Sequence, residues 1–185
     1  MRIIPKNITF NDFPKFTPNL SPYQIFKLGS FGGTYWRPIY SETNQQSYSN
    51  LYLELPNEWW KDIDKKYLIS EKEDITLNQY KVHSGTTLEY WESKNWINPI
   101  DPYGWVQWYC HFYNGRRSHD DERQVQRWKN FSGANGRWRL RLISMILKNN
   151  TQYNDKSISP VMRQGLQHWG YQLTEKDFQE SVWKR

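Results

Sequence analysis

Asp101-Pro102-Tyr103-Gly104-Trp105-Val106-Gln107-Trp108-Tyr109-Cys110-His111-Phe112 decides the fold class of this chain. The rings at Trp105, Trp108, Tyr109 and Phe112 fall at i, i+3, i+4 and i+7, the spacing of one helical face. Such a face must be covered, because each buried ring removes about 150–250 Å² from water. Asp101-Pro102 supplies a start signal, and Gly115 suits the left-handed C′ position that ends a helix. The spacing predicts a core helix from Pro102 to Asn114.

Helix punctuation recurs on both sides of it. Ser21-Pro22-Tyr23-Gln24 combines a capping box with proline at N1, and Gly29 closes the helix it opens. Thr86-Thr87-Leu88-Glu89 is a second capping box, leading through Trp91 towards Asn95. Ser118-His119-Asp120-Asp121 is a third, opening a helix to about Phe131 with Val125 and Trp128 inward. After a turn at residues 133–136, Arg137 to Lys148 reads as a helix with Trp138, Leu142 and Met145 on one side. Arg137, Arg141, Ser144 and Lys148 form a polar stripe beside them. Ser159-Pro160 opens a further helix ended at Gly170, and Thr174-Glu175-Lys176-Asp177 caps a last short one.

Strand signals are confined to the N-terminal third. Residues 34–40 are rich in β-formers, with Pro38 restricting them to an edge, and residues 48–55 are the candidate partner. The Asn-rich residues 42–50 and 149–157 read as loops, and residues 61–81 as surface connection with at most a short helix. The expected architecture is mainly α: a compact single-domain helical bundle over residues 1–185, with an aromatic-rich core and one short β-hairpin.

Composition supports a core built from rings. Aromatics make up 17% of 185 residues, 11 of them tryptophan, so a few large side chains take the place of many aliphatics. The single cysteine, Cys110, excludes an internal disulfide framework and a cysteine-based zinc cluster. Met1-Arg2-Ile3-Ile4-Pro5-Lys6-Asn7 lacks the apolar segment of a signal peptide, and no stretch approaches the ~18 apolar residues of a membrane span. The expectation is a soluble intracellular protein, cytoplasmic or nuclear, neither secreted nor partnered with a membrane.

Four segments carry a resemblance. Leu28-Gly29-Ser30-Phe31-Gly32-Gly33-Thr34-Tyr35 resembles L-G-x-F-G-G-x-Y, and Asp101 to Cys110 resembles D-P-x-G-W-x-Q-W-Y-C. Gly115-Arg116-Arg117 with Asp121 to Trp128 resembles G-R-R followed by D-x-R-Q-I-x-R-W. Arg163 to Trp169 is similar to R-Q-x-L-x-H-W. Together they resemble a family of small Trp-rich proteins of bacteria, eukaryotes and large DNA viruses, over roughly residues 16–171. The resemblance implies a shared fold and transfers no mechanism.

The charge distribution points to a partner class. Residues 105–141 hold eight Lys/Arg against three Asp/Glu, while the rest of the chain holds 17 against 16. Arg116, Arg117, Arg123, Arg127, Arg137, Arg139 and Arg141 dominate that segment, and the planar guanidinium suits both phosphate and ring stacking. The leading expectation is a nucleic-acid-binding face on two helices, DNA or RNA, with interleaved rings as stacking platforms. The plainer reading is that these arginines pair with Asp120, Asp121 and Glu122 or stack on core tryptophans.

Two alternatives stand beside it. One is a protein-interaction module with an aromatic patch. The other is a metal-dependent enzyme on nucleic acid or nucleotides, using Asp120, Asp121 and Glu122, with His111 and His119 nearby, or His168 as a base. The acids are equally explained as the first turn of a helix, and no second cluster at ligand spacing completes a metal site. A divalent metal enters only under that alternative, and no other cofactor is expected. Cys110 reads as a small buried residue and His168 as a core histidine. Glu92-Ser93-Lys94 matches half of a nuclease motif but lies on a helix. Residues 29–33 read as a helix end and turn, with no Gly-Lys-Ser/Thr to make a phosphate loop.

Overall fold

A computed structural model describes residues 5–183; the N-terminal reading at Met1 to Ile4 lies outside the described residues. The α-helices are α1 (Pro22–Lys27), α2 (Leu88–Ser93), α3 (Trp105–Tyr113), α4 (Asp121–Phe131), α5 (Arg137–Lys148), α6 (Pro160–His168) and α7 (Glu175–Trp183). One antiparallel hairpin, β1 (Ile39–Ser41) with β2 (Gln46–Tyr48), pairs Ile39 with Tyr48 and Ser41 with Gln46. The chain is mainly α and compact, with the hairpin in the N-terminal third and a large buried aromatic cluster. Among the described residues no helix is long and apolar enough to cross a membrane.

Local chemistry explains most of the elements. In α1 the Ser21 hydroxyl accepts from the Gln24 N–H while the Gln24 side chain accepts from the Ser21 N–H, the reciprocal capping box. Gly29 then turns the chain at φ 70, with the Leu77 carbonyl so close that a Cβ would lie 2.0 Å from its oxygen. α5 and α7 form as their signals indicate, and the Thr174 hydroxyl accepts from the Asp177 N–H at 3.1 Å.

Five boundaries differ from the sequence reading. The partner strand β2 lies inside the stretch read as a loop, because Asn50 adopts φ 58 and turns Leu51–Glu54 into a 3-10 helix. Residues 34–37 are not strand: the Thr34 carbonyl accepts the Arg37 N–H in a turn, and the Trp36 N–H donates to Leu68. α2 is capped by Thr87 instead of Thr86, whose hydroxyl accepts from the Trp91 indole at 2.6 Å. α3 starts at Trp105 rather than Pro102, since the Gly104 N–H closes a turn on the Asp101 carbonyl and Gly104 sits at φ 83. Likewise α4 opens at Asp121, after a turn in which the Asp121 carboxylate accepts both the N–H and the hydroxyl of Ser118.

The core is two clusters joined by rings. The larger surrounds α3, where Phe16 packs on Trp108, Tyr109, Phe112 and Trp128 with centroids 5.1–5.8 Å apart. The smaller gathers Leu142, Ile143 and Ile146 of α5 with Leu166, Tyr171 and Leu173. Between them runs a ladder: Trp105 to Trp169 (4.7 Å), Trp169 to Phe131 (5.0 Å) and Phe131 to Trp138 (4.6 Å). The buried indoles of Trp108 and Trp128 find acceptors, on Asp121 at 2.8 Å and on the Trp169 carbonyl at 2.9 Å.

Tyr35 supplies the cap that α3 lacks in its own sequence. Its buried hydroxyl accepts from the Gln107 N–H, a first-turn donor with no intrahelical partner, and donates to the Tyr103 carbonyl, both at 2.7 Å. Tyr35→Phe leaves both groups unpaired in the interior. The expected cost is about 1–3 kcal/mol, read as a lowered urea midpoint at unchanged slope.

Candidate functional site

The seven arginines do not make one continuous basic face. Arg116 pairs with the buried Asp101. Arg117 pairs with Asp12 and lies 3.8 Å from the Phe112 ring. Arg123 holds Asp120 through Nε and Nη2, the latter at 2.8 Å. Arg139, expected on the surface, is buried against Asp177 at 2.9 Å and over the Tyr171 ring. For Arg116, Arg123 and Arg139 the physical reason is common: a carboxylate shielded from water needs a partner, and removing either member leaves an uncompensated charge, whereas Asp12 beside Arg117 is exposed.

Arg127, Arg137 and Arg141 have no carboxylate partner among the described residues. Arg137 and Arg141 lie on the exposed stripe of α5. Arg127 sits between rings, 5.3 Å from Trp169 and 6.0 Å from Trp96, and donates to the Gln124 side chain at 2.9 Å. Burial, and Arg123 after it, pushes its guanidinium down to about 10, so it stays charged at neutral pH.

Two of the three acids at the start of α4, Asp120 and Asp121, are also engaged. Burial opposes the Asp120 carboxylate, but Arg123 and the Gln124 side chain outweigh it and hold the group below its ordinary value. Asp121 is buried on Trp108 and Ser118, and Glu122 is exposed. Among the described residues no three His, Cys, Asp or Glu side chains gather as a metal ion requires. Cys110 is buried, and burial pushes its thiol well up.

His168 is not placed to act as a base. Its Nε2 accepts the Phe31 backbone N–H at 3.2 Å, which puts the ring proton on Nδ1. The imidazole stacks on Phe31 at 3.9 Å, and burial pushes it down to about 3. Stack and hydrogen bond together hold Phe31 at φ 62, a left-handed conformation costing a bulky residue about 1–3 kcal/mol.

Helices and connecting segments together form an open cavity of about 580 Å³, within the range of small-molecule sites. Rings from separate segments wall it: Phe31 and Tyr35, Trp91 and Trp96, Tyr103 and Trp105, Phe131 and Trp138, and Trp169. The polar groups among them are few, namely Arg127, Asn130, Arg137, His168 and the Ser84–Thr86 turn. The Trp105 indole N–H and the Ser84 hydroxyl are buried without a hydrogen-bond partner. A smaller, more polar cleft of about 290 Å³ shares Phe31, Tyr35, Ser84 and Trp91, and adds Arg37, Glu71 and Glu73.

Of the sequence candidates, the cavity brings together Arg127, Arg137 and His168 and leaves out Arg116, Arg117, Arg123, Arg139 and Arg141. Sequence reasoning missed the convergence of the rings. A signal existed: Phe31, Tyr35, Tyr103, Trp105, Arg127, His168 and Trp169 come from four separate motifs and meet on one cavity. Comparison with protein-family models, curated proteins and solved structures finds no match for this chain.

The histidines set an acid limit on the fold. Burial pushes His111 down to about 4, as it does His168 to about 3. Both lie below the ordinary imidazole value near 6.5, so the unfolded chain takes up these protons first as pH falls. This contribution is complete above about pH 6.5 and is lost on acidification towards 4. Between pH 7 and 5 each histidine should remove about 2 kcal/mol of stability. Urea titrations at the two pH values measure the loss, and His168→Gln should abolish about half of it.

Proposed function

We propose that the cavity receives a nucleobase, with Arg127 and Arg137 meeting the phosphate attached to it, so that the protein binds nucleic acid or nucleotides one base at a time. The observation that carries the reading is an aromatic-walled cavity with two guanidiniums that form no salt bridge among the described residues. Indole and phenol rings stack on any base, and a guanidinium recognises phosphate through paired N–H donors. Asn130 and the Ser84–Thr86 turn offer hydrogen bonds to a base edge. This narrows the seven-arginine face to the members left free by internal pairing. Arg141, exposed one turn beyond Arg137 on α5, extends the positive edge.

The enzyme alternative gains no support from Asp120, Asp121 or His168. Asp120 and Asp121 have their oxygens taken by Arg123, Gln124, Trp108 and Ser118, and the Nε2 lone pair of His168 is occupied by Phe31.

Titrating nucleoside monophosphates while following tryptophan fluorescence tests the reading, since stacking on cavity indoles should quench it. Arg137 is exposed and free of internal pairs, so Arg137→Ala should fold normally. It should weaken the monophosphate about tenfold and leave the corresponding nucleoside almost unchanged, with a smaller salt dependence than the parent. An equal loss for nucleoside and nucleotide, or no saturable quenching by any of them, overturns it.

A further inference from the structure

We propose that the natural occupant is one unit of a single strand, whose neighbouring base stacks outside the cavity on the Tyr90–Trp96 pair; this rests on reading the cavity as a base pocket. Tyr90 and Trp96 are 43% and 42% exposed, and their rings meet edge to face at 5.8 Å. Two large rings that pack on each other yet leave nearly half their surface to water form a platform, and Trp96 also belongs to the cavity wall. Platform and pocket are therefore continuous.

Local backbone builds this continuity. α2 ends at Ser93, Asn95 turns the chain at φ 54, and the Trp96 N–H folds back onto the Trp91 carbonyl at 3.0 Å. Trp91 faces the cavity while Trp96 stands at its edge, five residues on.

The charge at this rim is arranged for a linking phosphate. Arg127 lies between an inner ring, Trp169, and the rim ring, Trp96, where the phosphate joining an inserted base to its neighbour would pass. The Nη1 atoms of Arg123 and Arg127 both approach the Trp96 carbonyl at 3.4 Å, and Lys94 lies 5.5 Å from the Tyr90 ring. Of the acids nearby, Asp120 is paired with Arg123, while Glu92 and Glu89 keep their charge, held by hydrogen bonds from Ser41 and Thr43 and from Thr87. Lys94 and Arg127 stand beside the two exposed rings, Arg127 on the cavity side and Lys94 on the Tyr90 side. That suits an unpaired strand, whose bases are free to stack and whose backbone is anionic. A duplex keeps its bases stacked on one another and has none to offer both surfaces.

The test compares a nucleoside monophosphate with an oligonucleotide of about eight unpaired residues, on parent protein and on Tyr90→Ala. Tyr90 does not line the cavity. The parent should bind the oligonucleotide at least tenfold more tightly. Tyr90→Ala should lose five- to tenfold on the oligonucleotide and nothing on the monophosphate, and Tyr90→Phe should restore binding. Equal affinity for the two ligands, an oligonucleotide affinity indifferent to Tyr90→Ala, or a duplex bound as tightly as the single strand overturns the platform and leaves the base pocket standing. Absence of any monophosphate binding to the parent overturns the pocket, and the platform with it.

Discussion

The fold depends on the ladder of rings from Trp105 through Trp169 and Phe131 to Trp138. Each step contributes about 0.5–1.5 kcal/mol beyond the area it buries. More importantly, the ladder is the contact through which the cluster around α3 meets the cluster of α5 and α6. Its geometry makes demands elsewhere. Gly165 lies within α6, where glycine costs about 1 kcal/mol relative to alanine, because a Cβ there would stand 2.8 Å from the Trp138 ring. The same four rings also line the cavity. The interaction that holds the two halves together is therefore also part of the cavity wall.

The arginines divide by the same logic. The basic segment passes a set of shielded carboxylates, at Asp101, Asp120 and Asp177, each of which needs a cation. Arg116, Arg123 and Arg139 meet that need and become part of the scaffold. Arg127 is held by rings and an amide instead, and Arg137 stands on an exposed stripe, so their charge remains available. A count of positive residues along the chain therefore overstates the charge that a ligand meets.

His168 illustrates how the site is stiffened. A neutral imidazole accepts one backbone N–H and stacks on the same residue, fixing a left-handed phenylalanine at the cavity wall. The wall is thereby pre-formed.

Much of the fold was legible in the sequence because helix signals are local. The Ser21 capping box, the aromatic stripe of α3, the polar stripe of α5 and the Thr174 cap rest on spacings of three to seven residues, and all four appear. The hairpin was legible in kind and misplaced in register, since a left-handed Asn50 decides where the partner strand ends. Three things were decided only in three dimensions. α3 is capped by Tyr35, 72 residues away in sequence. Arg139 and Arg137 lie two positions apart on one helix, yet one is buried on Asp177 and the other faces the cavity. The cavity itself draws on rings from distant segments, none of which signals alone that it will face open space. The sequence by itself determined which segments coil and that their faces are aromatic, because those properties follow from neighbours along the chain. Which charges stay free, and where the rings leave room, depend on neighbours across it, and only packing settles those.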